Sequence, residues 1–165
     1  MSRIEELENE IKGLENRRLE LLKQLEVEKQ KFEIEYPFED EGQYWFVGST
    51  GDICFSWWYQ DGIDTARFEM GNAFKTKEEA EKELDRRILL TKFRQFRDKC
   101  NGDWKPTINE KKYYIFFNFE EQKFKIDWFC QIGIFELFGT FKNEADAERA
   151  VELFGDEIIR LWVDE

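Results

Sequence analysis

Phe74-Lys75-Thr76-Lys77-Glu78-Glu79-Ala80-Glu81 returns 67 residues later as Phe141-Lys142-Asn143-Glu144-Ala145-Asp146-Ala147-Glu148. The echo is chemical as well as literal. Thr76 and Asn143 are both residue types favoured at a helix N-cap, where a short polar side chain accepts from the free N–H groups of the first turn. Acidic residues follow each of them, where the positive end of the helix dipole favours negative charge, and Leu84 answers Val151 on the apolar face. Each copy therefore reads as the end of a β segment and the start of a helix, and duplication is the simplest account of the chain.

Working outward from the first copy, Tyr44-Trp45-Phe46-Val47 is an apolar run of strand length, Gly48 to Asp52 supplies a turn, and Ile53 to Tyr59 is the returning strand. Gln60-Asp61-Gly62-Ile63-Asp64 carries an Asp-Gly turn signal and predicts a third strand from Thr65 to Phe74. The helix capped by Thr76 should run to Lys99 with Ala80, Leu84, Ile88, Leu89, Phe93 and Phe96 inward. The second copy repeats the order, with strands at Lys112–Phe119, Lys123–Phe129 and Ile132–Phe141. Its last helix would turn Ala147, Val151, Leu153 or Phe154, and Ile158 inward, with Gly155 lowering helicity. The expected class is α+β, with two tandem βββα units of antiparallel sheet at 43–100 and 104–165.

Ahead of these units, residues 3–35 contain no proline and mostly strong helix formers. Ile4, Leu7, Ile11, Leu14, Leu21 and Leu25 fall on heptad a and d positions, continued by Phe32, with Arg18 at an a site and Glu28 at a d site. This spacing predicts an N-terminal coiled-coil helix over 1–36 and a homodimer formed through it, ended by Tyr36-Pro37. Packing of the same amphipathic helix on its own globular part is the alternative, since Leu19 and Leu22 widen the stripe.

Composition removes several function classes. The chain has no histidine, which takes away the commonest general base, Ser-His and Cys-His nucleophiles and imidazole metal sites. Cys54, Cys100 and Cys130 are widely spaced, so neither a disulfide framework nor a C-x-x-C site is expected. Asp52, Asp61, Asp64 and Asp127 are scattered without metal-ligand spacing, and no phosphate-binding glycine motif is present, so no metal, no cofactor and no enzymatic activity are expected. A charged N-terminus and the lack of any long apolar run predict neither a signal peptide nor a membrane span, hence a cytoplasmic protein.

The net charge is −12. Only residues 76–112 are net basic, with eleven basic and eight acidic side chains. An acidic total opposes non-specific contact with nucleic acid or anionic membrane and suits a basic protein surface. The candidate contact residues are Trp57, Tyr59, Asp61 and Asp64, because strand alternation buries only one face and leaves a ring near the surface. Arg94 and Arg97 join them on the basic helix, whose Arg86, Arg87, Lys92 and Lys99 read equally well as a solvated face. The bland reading of the aromatic cluster has Trp58 in the core with Trp57 and Tyr59 packed on neighbouring elements.

The stretches Tyr44-Trp45-Phe46-Val47-Gly48-Ser49-Thr50-Gly51-Asp52-Ile53 and Gly71-Asn72-Ala73-Phe74-Lys75-Thr76-Lys77-Glu78-Glu79-Ala80-Glu81 carry a resemblance. With Asp103-Trp104-Lys105 and Lys112 to Phe117, they make the chain after residue 40 similar to a group of small proteins in phages and prophages of Gram-positive bacteria. The resemblance implies a non-structural protein of a mobile element acting in the host bacterial cytoplasm, and it brings no catalytic residues with it. The expected function is that of an anti-defence protein that binds a bacterial defence nuclease, specifically a type II CRISPR effector, and occludes its nucleic-acid-binding surface. A dimeric nucleic-acid binder and an adaptor for another phage protein are the alternatives.

Overall fold

The computed structural model describes residues 3–29, 35–131, 133 and 136–164. The chain divides into two compact units, Met1–Pro37 and Phe38–Glu165. In the first, the heptad segment is a helix, α1 (Arg3–Lys29), none of whose residues is buried. The expected continuation of this helix through Phe32 falls on residues 30–34, outside the described residues.

The second unit is α+β, with two small antiparallel sheets of two strands each. In the first hairpin, β1 (Gln43–Val47) pairs with β2 (Ile53–Trp57) so that Trp45 faces Phe55 and Val47 faces Ile53. In the second, β3 (Lys112–Asn118) pairs with β4 (Lys123–Phe129) so that Tyr113 faces Trp128 and Ile115 faces Ile126. The sequence echo has an exact backbone counterpart in hydrogen bonding. Phe74 and Trp45 exchange two bonds of 2.8 Å, and Phe141 and Tyr113 exchange bonds of 2.8 and 3.0 Å. Each repeated phenylalanine thus ties the start of a helix back to the first strand of its own hairpin.

Between those points the expected third strand is replaced in the first half. Residues 62–69 form a helix, α2 (Gly62–Glu69), not a strand. Asp61, read from sequence as a turn residue, is its N-cap, with its side chain accepting from the N–H groups of Ile63 and Asp64 at 2.8 and 2.9 Å. An Asp-Gly pair closes a hairpin or opens a helix with the same local chemistry, and Ala66, Arg67, Phe68 and Glu69 tolerate the helix. In the second half the corresponding strand, Ile132–Phe141, falls partly outside the described residues, and of the described ones only Phe141 pairs.

Two helices complete the unit, α3 (Lys77–Asn101) and α4 (Glu144–Ile158), the latter running into a π-helical turn at Ile159–Val163. Thr76 forms a full capping box with Glu79. Asn143 occupies the same position but caps nothing, and its amide donates instead to Asp146 at 3.1 Å. Ala80 and Ala147, equivalent in the two motifs, are both fully buried. The main core joins Leu89 and Phe93 of α3 to Phe141, Ala147, Ala150, Ile158 and Leu161. Phe93 lies within 4.8, 5.8 and 5.3 Å of the Phe138, Phe141 and Phe154 rings. Ile88, expected inward, is instead exposed, because Leu89 takes the core-facing position beside it, and of the alternatives Leu153 and Phe154 it is Phe154 that packs against the core. Gly155 does more than weaken α4: a Cβ there would sit 3.2 Å from the Phe124 ring, so the glycine lets the second hairpin approach the helix closely.

Candidate functional site

Alternation along β2 places Phe55 and Trp57 on one face, and the chain leaves the strand at Trp58. Trp58 turns inward and is fully buried among Phe38, Tyr44 and Phe68. Trp57 and Tyr59 on either side of it are 49% and 59% exposed, and Phe55 is 55% exposed. Large rings left this open are the features of a contact surface rather than of a core. The core place of Trp58 agrees with the bland reading of this cluster, and Trp57 and Tyr59 keep about half of their surface open. Phe55 was missing from the sequence candidates although its alternation with Trp57 points to it.

Of the two aspartates assigned to the same surface, Asp61 is exposed and Asp64 is not. Asp64 is buried, and its carboxylate is shared between the Tyr44 hydroxyl at 2.7 Å and the Tyr59 N–H at 2.8 Å. Arg67 donates to the Tyr44 oxygen at 2.7 Å and lies over the Phe46 ring at 3.8 Å from its centroid. Asp64 is therefore corrected from a partner-contacting residue to an internal one: it fixes the backbone from which the Tyr59 ring projects. Burial pushes the Tyr44 hydroxyl above its ordinary pKa, with Asp64 adding to the effect and the Arg67 hydrogen bond opposing it. Asp61 is likewise committed to capping α2.

The basic helix is also used internally over much of its length. Arg86 donates twice to the Leu161 carbonyl, at 2.9 and 2.7 Å, and stands 5.6 Å from the Trp162 ring. Arg87 reaches Glu83, Asn72 and the Gly71 carbonyl. Arg97 donates to the Phe138 carbonyl at 2.9 Å and to Asp98. Gly139, at φ 70°, has no room for a Cβ because the Arg97 guanidinium occupies that place. Arg97 is thus corrected from a contact residue to a stitch between α3 and the 136–140 loop, while Lys92, Arg94 and Lys99 remain exposed.

A cavity of about 180 Å³ lies inside the second half, lined by Phe93, Ile115, Phe124, Phe138, Ile158 and Trp162 among other apolar residues. Its walls offer no acid, base or nucleophile, so its chemistry is that of packing. Among the described residues no group of three or more Cys, Asp or Glu side chains could hold a metal ion, and no helix is long and apolar enough to cross a membrane. The second hairpin turns Tyr114, Phe116 and Phe129 to the face opposite its core side, with ring centroids 5.8 and 5.7 Å apart. Its lysines are occupied, Lys123 and Lys125 by Glu121 and Lys112 by the carbonyls of Thr107, Glu110 and Cys130.

No protein-family model, curated protein or solved structure matches this chain.

Proposed function

We propose that the protein is a phage-encoded anti-defence protein that binds and occludes the nucleic-acid-binding surface of a bacterial defence nuclease, specifically a type II CRISPR effector. The observation that carries the reading is the open aromatic row Phe55, Trp57 and Tyr59 on a chain of net charge −12. Exposed Trp and Tyr anchor protein interfaces, and an acidic body is drawn to the Lys- and Arg-lined channels that nucleic-acid enzymes present to phosphate. The same reading takes the two halves as tandem copies of one unit and α1 as a dimerising coiled coil, which would double the contact through avidity. Its setting is the host bacterial cytoplasm.

The test is binding of the purified full chain to the effector, with and without guide RNA, alongside a DNA-cleavage assay. The expected result is inhibition that weakens as salt rises and falls at least tenfold in the Trp57→Ser/Tyr59→Ser double variant. Absence of binding together with unchanged cleavage would overturn the reading. The nucleic-acid-binding alternative rests on the exposed Lys92, Arg94 and Lys99, and a gel shift with single- and double-stranded DNA and RNA at low salt decides it.

A further inference from the structure

An apolar stripe on a helix is stabilised by burial against a partner, and none of the α1 residues is buried. Its seam residues are open: Ile4 is 68% exposed, Ile11 56% and Leu14 66%. The spacing is that of a coiled coil, and α1 is 27 residues long, about 40 Å at 1.5 Å per residue. The occupant that fits both length and pattern is a second copy of α1, which builds on the dimer in the function proposed above. We infer that the two helices pair antiparallel.

The argument is charge. In a parallel, in-register pair each seam residue meets itself, so Arg18 would face Arg18 with Arg17 beside it, and Glu28 would face Glu28. Both are like-charge contacts at the seam; Lys29 follows Glu28, whereas at Arg18 the neighbouring Arg17 adds to the repulsion, so the Arg18 contact is the costlier. Reversing one helix brings Leu7 against Leu25 of the second copy and Ile11 against Leu21 of the second copy. Arg18 then lies across from Leu14, next to Glu15 of the second copy. Glu28 lies across from Ile4, next to Arg3 of the second copy. The whole helix agrees with this direction: residues 3–15 carry two basic and five acidic side chains, residues 17–29 four basic and three acidic. Antiparallel pairing lays the acidic half on the basic half. The exposed in-chain pairs Arg3–Glu6 and Arg17–Glu20, at 3.2 and 3.1 Å, are of the kind that rearranges at little cost.

The test uses the full chain. Light scattering gives the mass, and oxidative trapping with peptide mass spectrometry gives the direction, since it separates engineered cysteines from the native Cys54, Cys100 and Cys130. A dimer in which a mixture of Leu7→Cys and Leu25→Cys chains forms the mixed disulfide, while Leu7→Cys alone does not cross-link to itself, is the expected result. Self-linked Leu7→Cys in a dimer overturns the direction and leaves the dimer reading standing, as does a dimer that traps neither pair. A monomer overturns the dimer reading itself. Glu15→Lys supplies a second sign: it should weaken an antiparallel dimer about threefold or more by setting Lys against Arg18. A tighter dimer would overturn the proposal, because in the parallel arrangement Glu15 flanks Glu10 of the second copy and the substitution would relieve that repulsion.

Discussion

The two hairpins of the second unit both close on aromatic side chains, but only the first adds a buried carboxylate to its closure. A two-stranded sheet is marginal alone and needs something laid against it. The first hairpin is covered by α3 and by α2, and α2 is held to it through Asp64, Tyr44 and Arg67, of which Asp64 and Tyr44 are buried. The second is closed by α3, α4 and the π-helical turn through contacts that are almost entirely apolar. The two halves share their β-to-helix junctions and differ in what fills the space around them, so the same motif tolerates two kinds of interior.

The largest effect that would sharpen this contrast is expected from Phe93→Ala. Phe93 is fully buried and touches three other phenylalanine rings beside a cavity that already exists. Urea denaturation should report a loss of about 3–5 kcal/mol; a loss under about 1 kcal/mol would mean that the apolar half repacks freely. Asp64→Ala follows, at about 2–3 kcal/mol, because it leaves the Tyr44 hydroxyl and the Tyr59 N–H without their acceptor. If instead Asp64→Ala proves neutral by the same measurement, the polar closure of the first hairpin is ornamental.

A smaller effect separates the two junctions themselves. Thr76→Ala removes a complete capping box and should cost about 1 kcal/mol, whereas Asn143→Ala should cost less than about 0.5 kcal/mol because that side chain caps nothing. Equal thermal shifts for the two variants would contradict the difference seen between them.

The smallest effect concerns pH. Burial holds the Glu136 carboxyl above the ordinary carboxylate range, near Tyr114 of the second hairpin. The folded chain therefore keeps this proton at pH values where the unfolded chain has lost it, and stability falls as pH rises from the unfolded value through the folded one. Glu136→Gln removes that penalty, so the variant should gain stability over the parent at neutral pH and match it in acid. Denaturation curves at pH 3.5 and 7 check the sign, and a variant weaker than the parent at neutral pH would break the assignment.

The junctions were legible in the sequence because they rest on local chemistry. A phenylalanine, a polar cap, an acidic turn and a small buried alanine recur at fixed spacing, and the strands beside them show in their aromatic runs. The third strand of the first half was misread because Asp61-Gly62 is equally good as a turn and as a helix start, and the choice is made by Tyr44 some 20 residues away. The roles of Asp64, Arg86 and Arg97 were hidden for the same reason. A charged side chain reads as surface until its long-range partner is known, and those partners lie 20, 75 and 41 residues away. Of the aromatic surface, alternation along the strand points to Phe55 and Trp57 alike, with Tyr59 two residues further on.

Arg86 reaches the Leu161 carbonyl and Asp85 pairs with Arg160, in each case across 75 residues. During synthesis, at about 5–20 residues per second, α3 is thus complete for about 3–12 s before Leu161, the last residue to cover Leu89 and Phe93, has been added. For that interval the nascent chain displays the apolar side of a finished helix, and whatever holds it soluble then is not yet its own fold.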